Sequence, residues 1–560
     1  IEKRVNGCKW LGNSDTETLL ASLDYFGLNK TIEISQGMFA IALWDSYLKK
    51  LFLIRDRFGE KPLYYSVSKQ HSKNILFASD LSGILAHPEF SKEIDRRSLD
   101  GFLKCGYLTR HQSIYEGVSK VLPGQIVEIS PADHSLRLTQ YWDSTTVAMK
   151  SKENIYKGTL TEAIEELNRM LLAKVKKQML SDVPLGAFLS GGIDSSLIAS
   201  LMQENSSKPI RTFTIAFDEV GWDESAYAKQ ISSSLGTEHT EYKVTSREAL
   251  EVIPKLNSIF SEPFADVSQI PTFLVSEMAK KEVTVALTGD AGDELFGGYE
   301  RYRFTNLAWE KLSLFPLPFR KKIACFLKKI PPARINSVFA ILNGILNEKL
   351  PLKAMGDRLI KGFQLIDSSN VMELYDRYVG LWNKEERLVL GAIQKNEAPQ
   401  VDLISKYHIS QIESMMLADT HKYLSDDILV KVDRAAMAAS LETRVPFLDP
   451  DVYKFAWSLP EDMKIDKTGG KFILRKMLAT YCDPSLFDRP KMGFGVPIGS
   501  WLRGPLRGWA EELLGEDKLK QQGYLNIEPV RKCWNEHLEG GRNFPNQLWA
   551  VLMFQAWLNR

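Results

Sequence analysis

The sequence predicts a two-domain protein with a β-rich N-terminal half, of the antiparallel β-sandwich type, and a parallel-sheet α/β domain with a large helical extension. Three observations predict this class. The chain has 560 residues, too many for one compact core. Short apolar runs separated by turn residues occupy the first part. Later runs alternate with helical patterns, as in a parallel sheet. We place the domains at residues 1–150 and 155–560. These two parts differ in length, and we call them the N-terminal half and the C-terminal half.

The N-terminal half is predicted to be antiparallel. Its short apolar runs are separated by Asp, Lys, Gly and Pro, which are typical of the turns between hairpin strands. The predicted strands cover residues 38–44, 51–54, 63–65 and 124–129. This pattern indicates a sandwich core and assigns no chemistry by itself.

The C-terminal half is predicted to be a parallel α/β domain. Apolar residues recur at helical spacing from Ile164 to Leu180. Three strand-like runs follow, each before a polar loop and a helix, at residues 183–189, 211–217 and 283–287. From about residue 300 onward the pattern is mostly helical, and the stretch 300–420 forms the extension.

Composition argues against several classes of protein. Lys plus Arg number 71 and Asp plus Glu number 70, so the net charge of +1 gives no overall attraction to nucleic acid or to an anionic membrane. The five cysteines form no CxxC pair, which disfavours a disulfide framework and a zinc site. No apolar run approaches the roughly 18 residues of a membrane span. We expect a cytoplasmic protein without a nucleic-acid or membrane partner, and a homodimer is compatible with the sequence.

The most informative local signal is Phe188-Leu-Ser-Gly-Gly-Ile-Asp-Ser-Ser196. A buried strand ends here, two glycines free the backbone, and a helix is predicted to begin at Ser195. Backbone N–H groups at a helix N-terminus favour anions, and the serine hydroxyls add donors, so this segment suits phosphates. A tight turn with Asp or Ser as the N-cap is the alternative explanation.

The ends of the other two predicted strands favour the phosphate interpretation. Asp218-Glu219 follows the second strand, and Thr288-Gly-Asp-Ala-Gly-Asp-Glu294 follows the third. Ligands of parallel sheets lie beyond the carboxyl ends of the strands, so these carboxylates gather beside the phosphate loop. Mg²⁺ would offset their repulsion of ATP. The chain has no Walker A or GxGxxG motif, which disfavours γ-phosphoryl transfer and dinucleotide binding.

Several motifs together resemble those of one enzyme family. Ser190-Gly-Gly-Ile-Asp-Ser195 is similar to the SGGxDS loop of the ATP-pyrophosphatases, or PP-loop enzymes. Signatures of the glutamine-hydrolysing asparagine synthetases are resembled by residues 288–299, 441–449, 489–494, 36–40, 55–65 and 122–124. The resemblance runs nearly end to end. It implies a glutaminase domain of the N-terminal-nucleophile type followed by a synthetase domain.

The resemblance implies a nucleotide site with bound Mg²⁺. The loop that would hold the β and γ phosphates consists of Ser190, Gly191, Gly192, Asp194 and Ser195. Further contacts to the nucleotide are implied for Leu189, Ile215, Thr288 and Gly289. The implied Mg²⁺ ligands are Asp194 and Asp293.

The resemblance also implies catalytic residues. Lys491 would neutralise the departing pyrophosphate, and Asp290 would lie beside the activated carbonyl. Glu442 would assist proton removal from the attacking amine, although an ion pair with Arg444 is an equally good account of it. In the N-terminal half, Asp15 matches the aspartate that binds the amino group of glutamine.

The implied reaction has two steps. The side-chain carboxylate of aspartate attacks the α-phosphorus of ATP, which gives an acyl-adenylate and pyrophosphate, and ammonia from glutamine then displaces AMP. Amidation of another carboxylate, such as a uronic acid or a β-amino acid precursor, uses the same chemistry and stays open. An RNA-modifying PP-loop enzyme is a second alternative, which the neutral charge balance disfavours. A non-catalytic binding protein is the least favoured.

The sequence departs from the family pattern in two places. It begins at Ile1 without the N-terminal cysteine of the glutaminase, and Cys8 lies too close to Asp15 to replace it. On this comparison we expect the segment with the nucleophile to be missing upstream, and a natural variant that uses only ammonia is the alternative. The helical stretch 300–420 is also longer than in compact members of the family. In this chain it would shape either the acceptor pocket or an oligomer contact.

Overall fold

The computed structural model describes residues 10–12, 14–67, 74–217, 225–328, 362–383, 385–393, 407–489, 495–540 and 542–560. Two antiparallel sheets lie within residues 40–140, and one parallel sheet is built from strands within residues 185–444. This order of sheets agrees with the two-domain prediction, whereas the sandwich packing stays a prediction. Among these residues there is no helix that is long and apolar enough to cross a membrane.

The N-terminal half contains a four-stranded and a three-stranded sheet. The chain enters through α1 (Asp15–Ile34), which is broken at Gly27 (φ 74°). The larger sheet, in the order β1-β2-β6-β7, consists of β1 (Ala40–Asp45), β2 (Lys50–Arg55), β6 (Gln125–Ser130) and β7 (Ser135–Gln140). The smaller sheet, in the order β4-β3-β5, consists of β3 (Tyr64–Val67), β4 (Ile75–Ala78) and β5 (Val118–Lys120). The helices of this half are α2 (Leu81–Leu85), α3 (Arg96–Cys105) and, after β7, α4 (Ser144–Lys152).

Four of these strands, β1, β2, β3 and β6, lie where the apolar runs predict them. The strands β4, β5 and β7 are absent from the sequence prediction. Every residue of β7 is exposed, and β5 has only three residues, so neither carries the alternating apolar pattern of a half-buried strand.

A buried arginine and a buried aspartate hold the turn that follows β2. The Asp56 carboxylate accepts hydrogen bonds from the backbone N–H groups of Gly59, Glu60 and Lys61 at 2.7, 2.9 and 2.9 Å. The Arg55 guanidinium donates to the carbonyl oxygens of Lys61 and Gly59. The segment 55–65 is therefore a rigid turn whose polar groups are paired internally.

The parallel sheet has five strands in the order β10-β9-β8-β11-β12. They are β8 (Leu185–Phe188), β9 (Arg211–Phe217), β10 (Glu238–Val244), β11 (Val285–Leu287) and β12 (Glu442–Arg444). The chain builds β8, β9 and β10 outward on one side and then returns to add β11 and β12 on the other side of β8. The strand order therefore reverses between β8 and β11.

The three strands predicted here are β8, β9 and β11, with shorter ends for β8 and β11. The sequence prediction misses β10 and β12. The strand β10 lies at the edge of the sheet and carries Glu238, Glu241 and Lys243, and β12 has only three residues. Both lack the apolar run of a central strand.

Helices join the strands and form the extension. Those between Leu160 and Phe296 are α5 (Leu160–Gln178), α6 (Ile193–Glu204), α7 (Ser225–Leu235), α8 (Ser246–Ile259), α9 (Gln269–Ala279) and α10 (Gly292–Phe296). Where it is described, the stretch 300–420 is largely helical, as predicted, with α11 (Glu300–Leu312), α12 (Leu317–Lys328), α13 (Val371–Val379) and α14 (Gln411–Asp419).

A π-helix (Thr420–Ile428) continues α14 into α15 (Leu429–Ala438), which precedes β12. The helices that follow β12 are α16 (Pro450–Ser458), α17 (Glu461–Lys464), α18 (Phe472–Leu478), α19 (Ile498–Arg503), α20 (Arg507–Leu513), α21 (Glu516–Gln522), α22 (Ile527–Leu538) and α23 (Pro545–Leu558). Two short 3₁₀ turns lie at Pro446–Leu448 and Pro484–Leu486.

Buried ion pairs connect the two halves. Lys61 Nζ lies 2.7 Å from Asp433 Oδ1 on α15, and Lys120 Nζ lies 2.8 Å from Glu262 Oε1. The Lys120 and Glu262 side chains are only 6% and 10% exposed, so each charge depends on the other for compensation. We call the contact made by the pairs Lys61–Asp433 and Lys120–Glu262 the seam. Because α15 leads into β12, the seam joins the antiparallel sheets to one edge of the parallel sheet.

A histidine joins α4 to the π-helix. His421 Nε2 lies 2.6 Å from Thr145 Oγ1, and the Ser144 hydroxyl also contacts the ring. Burial lowers the pKa of His421 to about 4, although the nearby Asp143 carboxylate opposes the shift. The imidazole is therefore neutral in the folded protein at neutral pH.

We expect His421 to make the protein less stable as the pH falls from 6.5 towards about 4. In that window the unfolded chain binds a proton at this residue and the folded chain does not, so acid favours unfolding. His421→Asn should lose less stability on acidification than the wild type, by about 1–2 kcal/mol after allowance for partial exposure. Urea unfolding at neutral and acid pH measures this, with His408→Asn, at an exposed histidine, as the matched control. Equal losses in His421→Asn and the wild type would contradict the assignment.

Candidate active site

Two loops meet where the strand order of the parallel sheet reverses. Residues 189–192 join β8 to α6, and residues 288–291 join β11 to α10. The two strands are paired directly, with Leu287 opposite Ala187. Parallel α/β sheets bind ligands at such a position, beyond the carboxyl ends of the strands.

The first loop is held in shape by its own hydrogen bonds. The Ser190 and Ser195 hydroxyl oxygens lie 3.0 Å apart, and the backbone N–H of Ser190 donates to Ser195 Oγ at 3.2 Å. Gly191 has a left-handed φ of 72°, and a Cβ there would lie 2.8 Å from the backbone nitrogen of Ala228. Only glycine fits at this position without displacing α7.

The helix α6 begins at Ile193, earlier than the predicted start at Ser195. Gly192 is the N-cap of this helix. All residues of the helix are described, and no side chain makes a capping hydrogen bond at its start. The alternative explanation of the turn, an Asp or Ser cap, is therefore wrong. A helix start without a side-chain cap leaves its first backbone N–H groups to a ligand, which suits an anion.

The two loops pack against each other with no room for additional side chains. A Cβ on Gly289 would lie 2.6 Å from the Ser195 backbone nitrogen, and a Cβ on Gly292 would overlap the Asp194 carboxylate. Between them, Ala291 adopts a left-handed φ of 70°. The glycines thus allow the second loop to approach the first turn of α6.

The carboxylates of Asp194 and Asp293 converge on one ammonium group, that of Lys471. Lys471 Nζ lies 2.8 Å from Asp293 Oδ1 and also contacts Asp194 Oδ2. The three side chains are between 6% and 16% exposed. Burial alone would lower the pKa of the Lys471 ammonium, but the two carboxylates reverse this effect, and the pKa lies above its ordinary value. The lysine is therefore charged in the folded protein.

The backbone of Lys471 is hydrogen-bonded to the last residue of α10. Lys471 has a left-handed φ of 57°, and its N–H donates to the carbonyl oxygen of Phe296 at 3.0 Å. A Cβ on Gly470 would overlap the carbonyl of Gly297. Lys471 is absent from the sequence prediction, although the run Gly-Gly-Lys directly before a helix is a signal that points to it.

The Asp194–Asp293 pair fits Mg²⁺ as the predicted ligands. Their convergence on one ammonium demonstrates that a single cation can contact both carboxylates. Within the described parts of the chain there is no group of three or more His, Cys, Asp or Glu side chains that could hold a metal ion. Two carboxylates completed by phosphate oxygens and water suit Mg²⁺, which seldom uses an all-protein cage.

Three predicted nucleotide contacts have different surroundings. The Thr288 N–H donates to the carbonyl oxygen of Arg444 at 2.9 Å, and its buried hydroxyl has no hydrogen-bond partner among the described residues. A buried hydroxyl without a partner at a crevice is available to a ligand. Leu189 is buried in the first loop, whereas Ile215 lies within the apolar core along β9.

A second polar cluster lies near Asp290. Lys431 Nζ is 2.9 Å from Asp266 Oδ2 and 2.8 Å from the Ser268 hydroxyl. Burial opposes the charge of Lys431, but Asp266, Asp427 and Asp290 raise its pKa above the ordinary value. Asp290 is thus within electrostatic reach of a buried, charged lysine.

Glu442 is placed differently. In the sheet it pairs with Val285, the first residue of β11, rather than with the loop that follows this strand. Its carboxylate accepts a hydrogen bond from Arg444 Nε at 2.7 Å, and the same guanidinium donates to the carbonyl oxygens of Gln178 and Leu180. The ion pair considered for Glu442 is present, and its part in proton removal stays a prediction.

The segment that leads to Lys491 starts beside the first loop. The Arg489 guanidinium lies over the Tyr227 ring at 3.9 Å, and the Tyr227 backbone carbonyl carbon would lie 2.9 Å from a Cβ on Gly191. Lys491 itself and the predicted acidic pair at 218–219 lie outside the described residues. Asp15, the predicted glutamine-binding residue, is exposed in the first turn of α1, where its role stays a prediction.

Two family models match the chain. The asparagine synthase model matches residues 166–559, and the model of a glutamine amidotransferase domain matches residues 2–142.

Known proteins match over most of the chain. The glutamine-hydrolyzing asparagine synthetase 1 of Bacillus subtilis is 30% identical over 564 aligned residues, which cover 99% of this chain and 82% of that protein. Asparagine synthetase 3 of the same organism is 25% identical, over 88% of this chain and 72% of that protein. Amidase chry2 of Gibberella zeae is 26% identical, over 93% of this chain and 78% of that protein.

We expect Gly289→Ala to weaken binding of inorganic pyrophosphate. The added methyl group would displace the start of α6, whose N–H groups we expect to bind the anion, and a displacement that removes about 1–3 kcal/mol of binding free energy would weaken binding roughly 5- to 150-fold. Isothermal titration of the folded protein with pyrophosphate and Mg²⁺ measures the loss. Gly362→Ala is the control, since nothing lies within 4 Å of a Cβ at that position. Wild-type affinity in Gly289→Ala would show that the two loops do not form the anion site.

Proposed function

The chain belongs to the asparagine synthase family, and from this membership we propose that it is an ATP-dependent amidotransferase that converts a carboxylate into an amide. The proposed substrates are ATP, a carboxylate acceptor, and glutamine or ammonia, and the products are the amide, AMP and pyrophosphate. We propose aspartate as the acceptor and asparagine as the product. The observation that carries the proposal is the convergence of two carboxylates at the switch point of the sheet: Asp194, which follows the glycine-serine loop, and Asp293, which follows the second loop, both contact the Lys471 ammonium.

The glycine-serine loop would bind the β and γ phosphates of ATP. Backbone N–H groups at the start of α6 and the hydroxyls of Ser190 and Ser195 are donors suited to phosphate oxygens. The Thr288 hydroxyl on the neighbouring loop adds a further donor. Binding the two terminal phosphates here makes pyrophosphate the group that leaves.

Asp194 and Asp293 would hold Mg²⁺ against the same phosphates. The ion would neutralise phosphate charge and orient the leaving pyrophosphate. Lys471 and Lys491 would supply positive charge beside the bound phosphates, and the interaction of this charge with the leaving group becomes more favourable as negative charge develops there. Preorganised charge of this kind accelerates the chemical step because the protein need not rearrange during the reaction.

Adenylation would occur beside the second loop. An oxygen of the acceptor carboxylate attacks the α-phosphorus, and the bond from that phosphorus to the bridging oxygen breaks as pyrophosphate leaves. The polar cluster of Lys431, Asp266 and Ser268 near Asp290 would orient the acceptor on this side, where Asp266 already balances the charge of Lys431. The activated acyl group then has AMP, rather than oxide, as its leaving group.

Amide formation would use ammonia released in the N-terminal half. Ammonia attacks the acyl carbon, AMP departs, and one proton is lost from the nitrogen; Glu442 stays the proposed acceptor of this proton. The match of residues 2–142 to a glutamine amidotransferase domain supports glutamine as the nitrogen source. A small crevice at the seam is lined by residues of both halves, among them Glu60, Lys120, Asp426 and Asp433.

We expect aspartate to support ATP–pyrophosphate exchange in the presence of Mg²⁺. Exchange reports reversible adenylation and requires no nitrogen donor, so it tests the acceptor separately from amide transfer. A panel of aspartate, a uronic acid and a β-amino acid measures which carboxylate is activated. Asp293→Asn should reduce exchange by about 10²-fold or more, the typical effect of removing one preorganised charge. The exposed Asp462→Asn is the control and should leave exchange unchanged.

Two results would contradict this proposal. Exchange with a uronic acid or a β-amino acid but not with aspartate would overturn the acceptor and retain the chemistry. ADP as the principal nucleotide product would overturn the chemistry itself.

A further inference from the structure

We propose that Lys471 is the resident counter-ion of the Asp194–Asp293 pair and that it exchanges places with a divalent cation when polyphosphate binds. On this view the site accepts the cation together with polyphosphate and admits the cation poorly by itself. The inference rests on the proposed function, because it concerns the same two carboxylates, and it adds a residue that controls how the metal enters.

The first support is the position of the ammonium group. Lys471 Nζ contacts one oxygen of each carboxylate, at 2.8 Å for Asp293, and the lysine side chain is only 6% exposed. A divalent cation bound to both carboxylates requires the same space between them. The ammonium and the metal ion therefore cannot occupy the site together in this arrangement.

The second support is the backbone conformation around Lys471, which directs its side chain towards the two carboxylates. Residue 471 has a left-handed φ of 57°, and its N–H is bound to the carbonyl oxygen of Phe296 at 3.0 Å. A Cβ on Gly298 would overlap both the Asp293 carboxylate and Lys471 Cε. A glycine is thus required where the side chains of Lys471 and Asp293 pass each other, which indicates a site built around this contact.

The third support is electrostatic. Two carboxylates that are mostly buried and close together destabilise the folded protein unless a cation compensates them. Lys471 supplies this compensation and leaves the trio with a net charge of −1. A free divalent cation must displace the ammonium, which then loses both of its partners in a largely buried site. Polyphosphate removes this penalty, because its oxygens become the new partners of the ammonium.

The lysine side chain is suited to such a move. Its ammonium is a compact charge on a flexible four-carbon stem, so it can pass from one set of oxygens to another while its backbone stays fixed. Metal and polyphosphate affinities are then coupled, and each strengthens the binding of the other by the same factor. This coupling favours the metal–nucleotide complex over the free ion.

The test is a titration of the full chain with Mn²⁺ alone, followed by electron paramagnetic resonance, and then with Mn²⁺ and inorganic pyrophosphate. We expect Lys471→Met to bind Mn²⁺ alone roughly tenfold or more tightly than the wild type, because the competing charge is gone. The same variant should gain much less Mn²⁺ affinity from pyrophosphate than the wild type gains. The matched control is Lys476→Met, at an exposed lysine of α18, which should leave both affinities unchanged.

The outcomes separate this inference from the proposed function. Unchanged or weaker binding of Mn²⁺ alone in Lys471→Met would overturn the exchange. If that variant does not fold, Lys471→Gln is titrated with the same two expectations, and Lys471→Arg, which keeps the charge, should retain weak binding of Mn²⁺ alone. The titration involves neither ATP cleavage nor an acceptor. A protein that shows the exchange but forms no AMP would overturn the proposed function and leave this inference standing.

Discussion

The convergence of Asp194 and Asp293 on a single cation is the constraint on which the rest of the site depends. Two largely buried carboxylates repel each other, so the fold must supply a positive charge between them. Lys471 does so in the described structure, with its ammonium 2.8 Å from Asp293 and in contact with Asp194. The same requirement explains why a divalent cation and phosphate oxygens suit this point. Under the proposed function, binding of ATP and stability of the fold depend on the same electrostatic arrangement.

The strand order of the parallel sheet makes this convergence possible. Because β8 and β11 are neighbours, the loops that follow them reach the same edge, and their helices start side by side. Glycines remove the side chains that would keep these helices apart, as at Gly289 and Gly292. The strand β12 lies beside β11 and is preceded in the chain by α15. Asp433 of α15 pairs with Lys61 of the N-terminal half. The proposed nucleotide site and the seam are thus connected through adjacent elements of one sheet.

Local patterns were sufficient to predict the parts of the site that follow a buried strand. The runs that became β8, β9 and β11 are apolar, and Asp194 and Asp293 follow two of them, so their proximity could be argued from sheet topology. Lys471 could not be found this way, because 277 residues separate it from Asp194 and only tertiary packing joins them. The edge strands β10 and β12 have too few apolar residues to be recognised as strands from the sequence. The seam depends on ion pairs between residues far apart in the chain, which the spacing of apolar residues does not indicate.

The central claim is that the acceptor carboxylate attacks the α-phosphorus of ATP at this site. The most direct test supplies aspartate labelled with ¹⁸O in its side-chain carboxylate, together with ATP, Mg²⁺ and ammonium, and follows the label by mass spectrometry. One labelled oxygen is expected in AMP, because the oxygen that attacks phosphorus leaves with AMP when ammonia displaces it. Label in inorganic phosphate with ADP as the other product, or AMP without label, would contradict it.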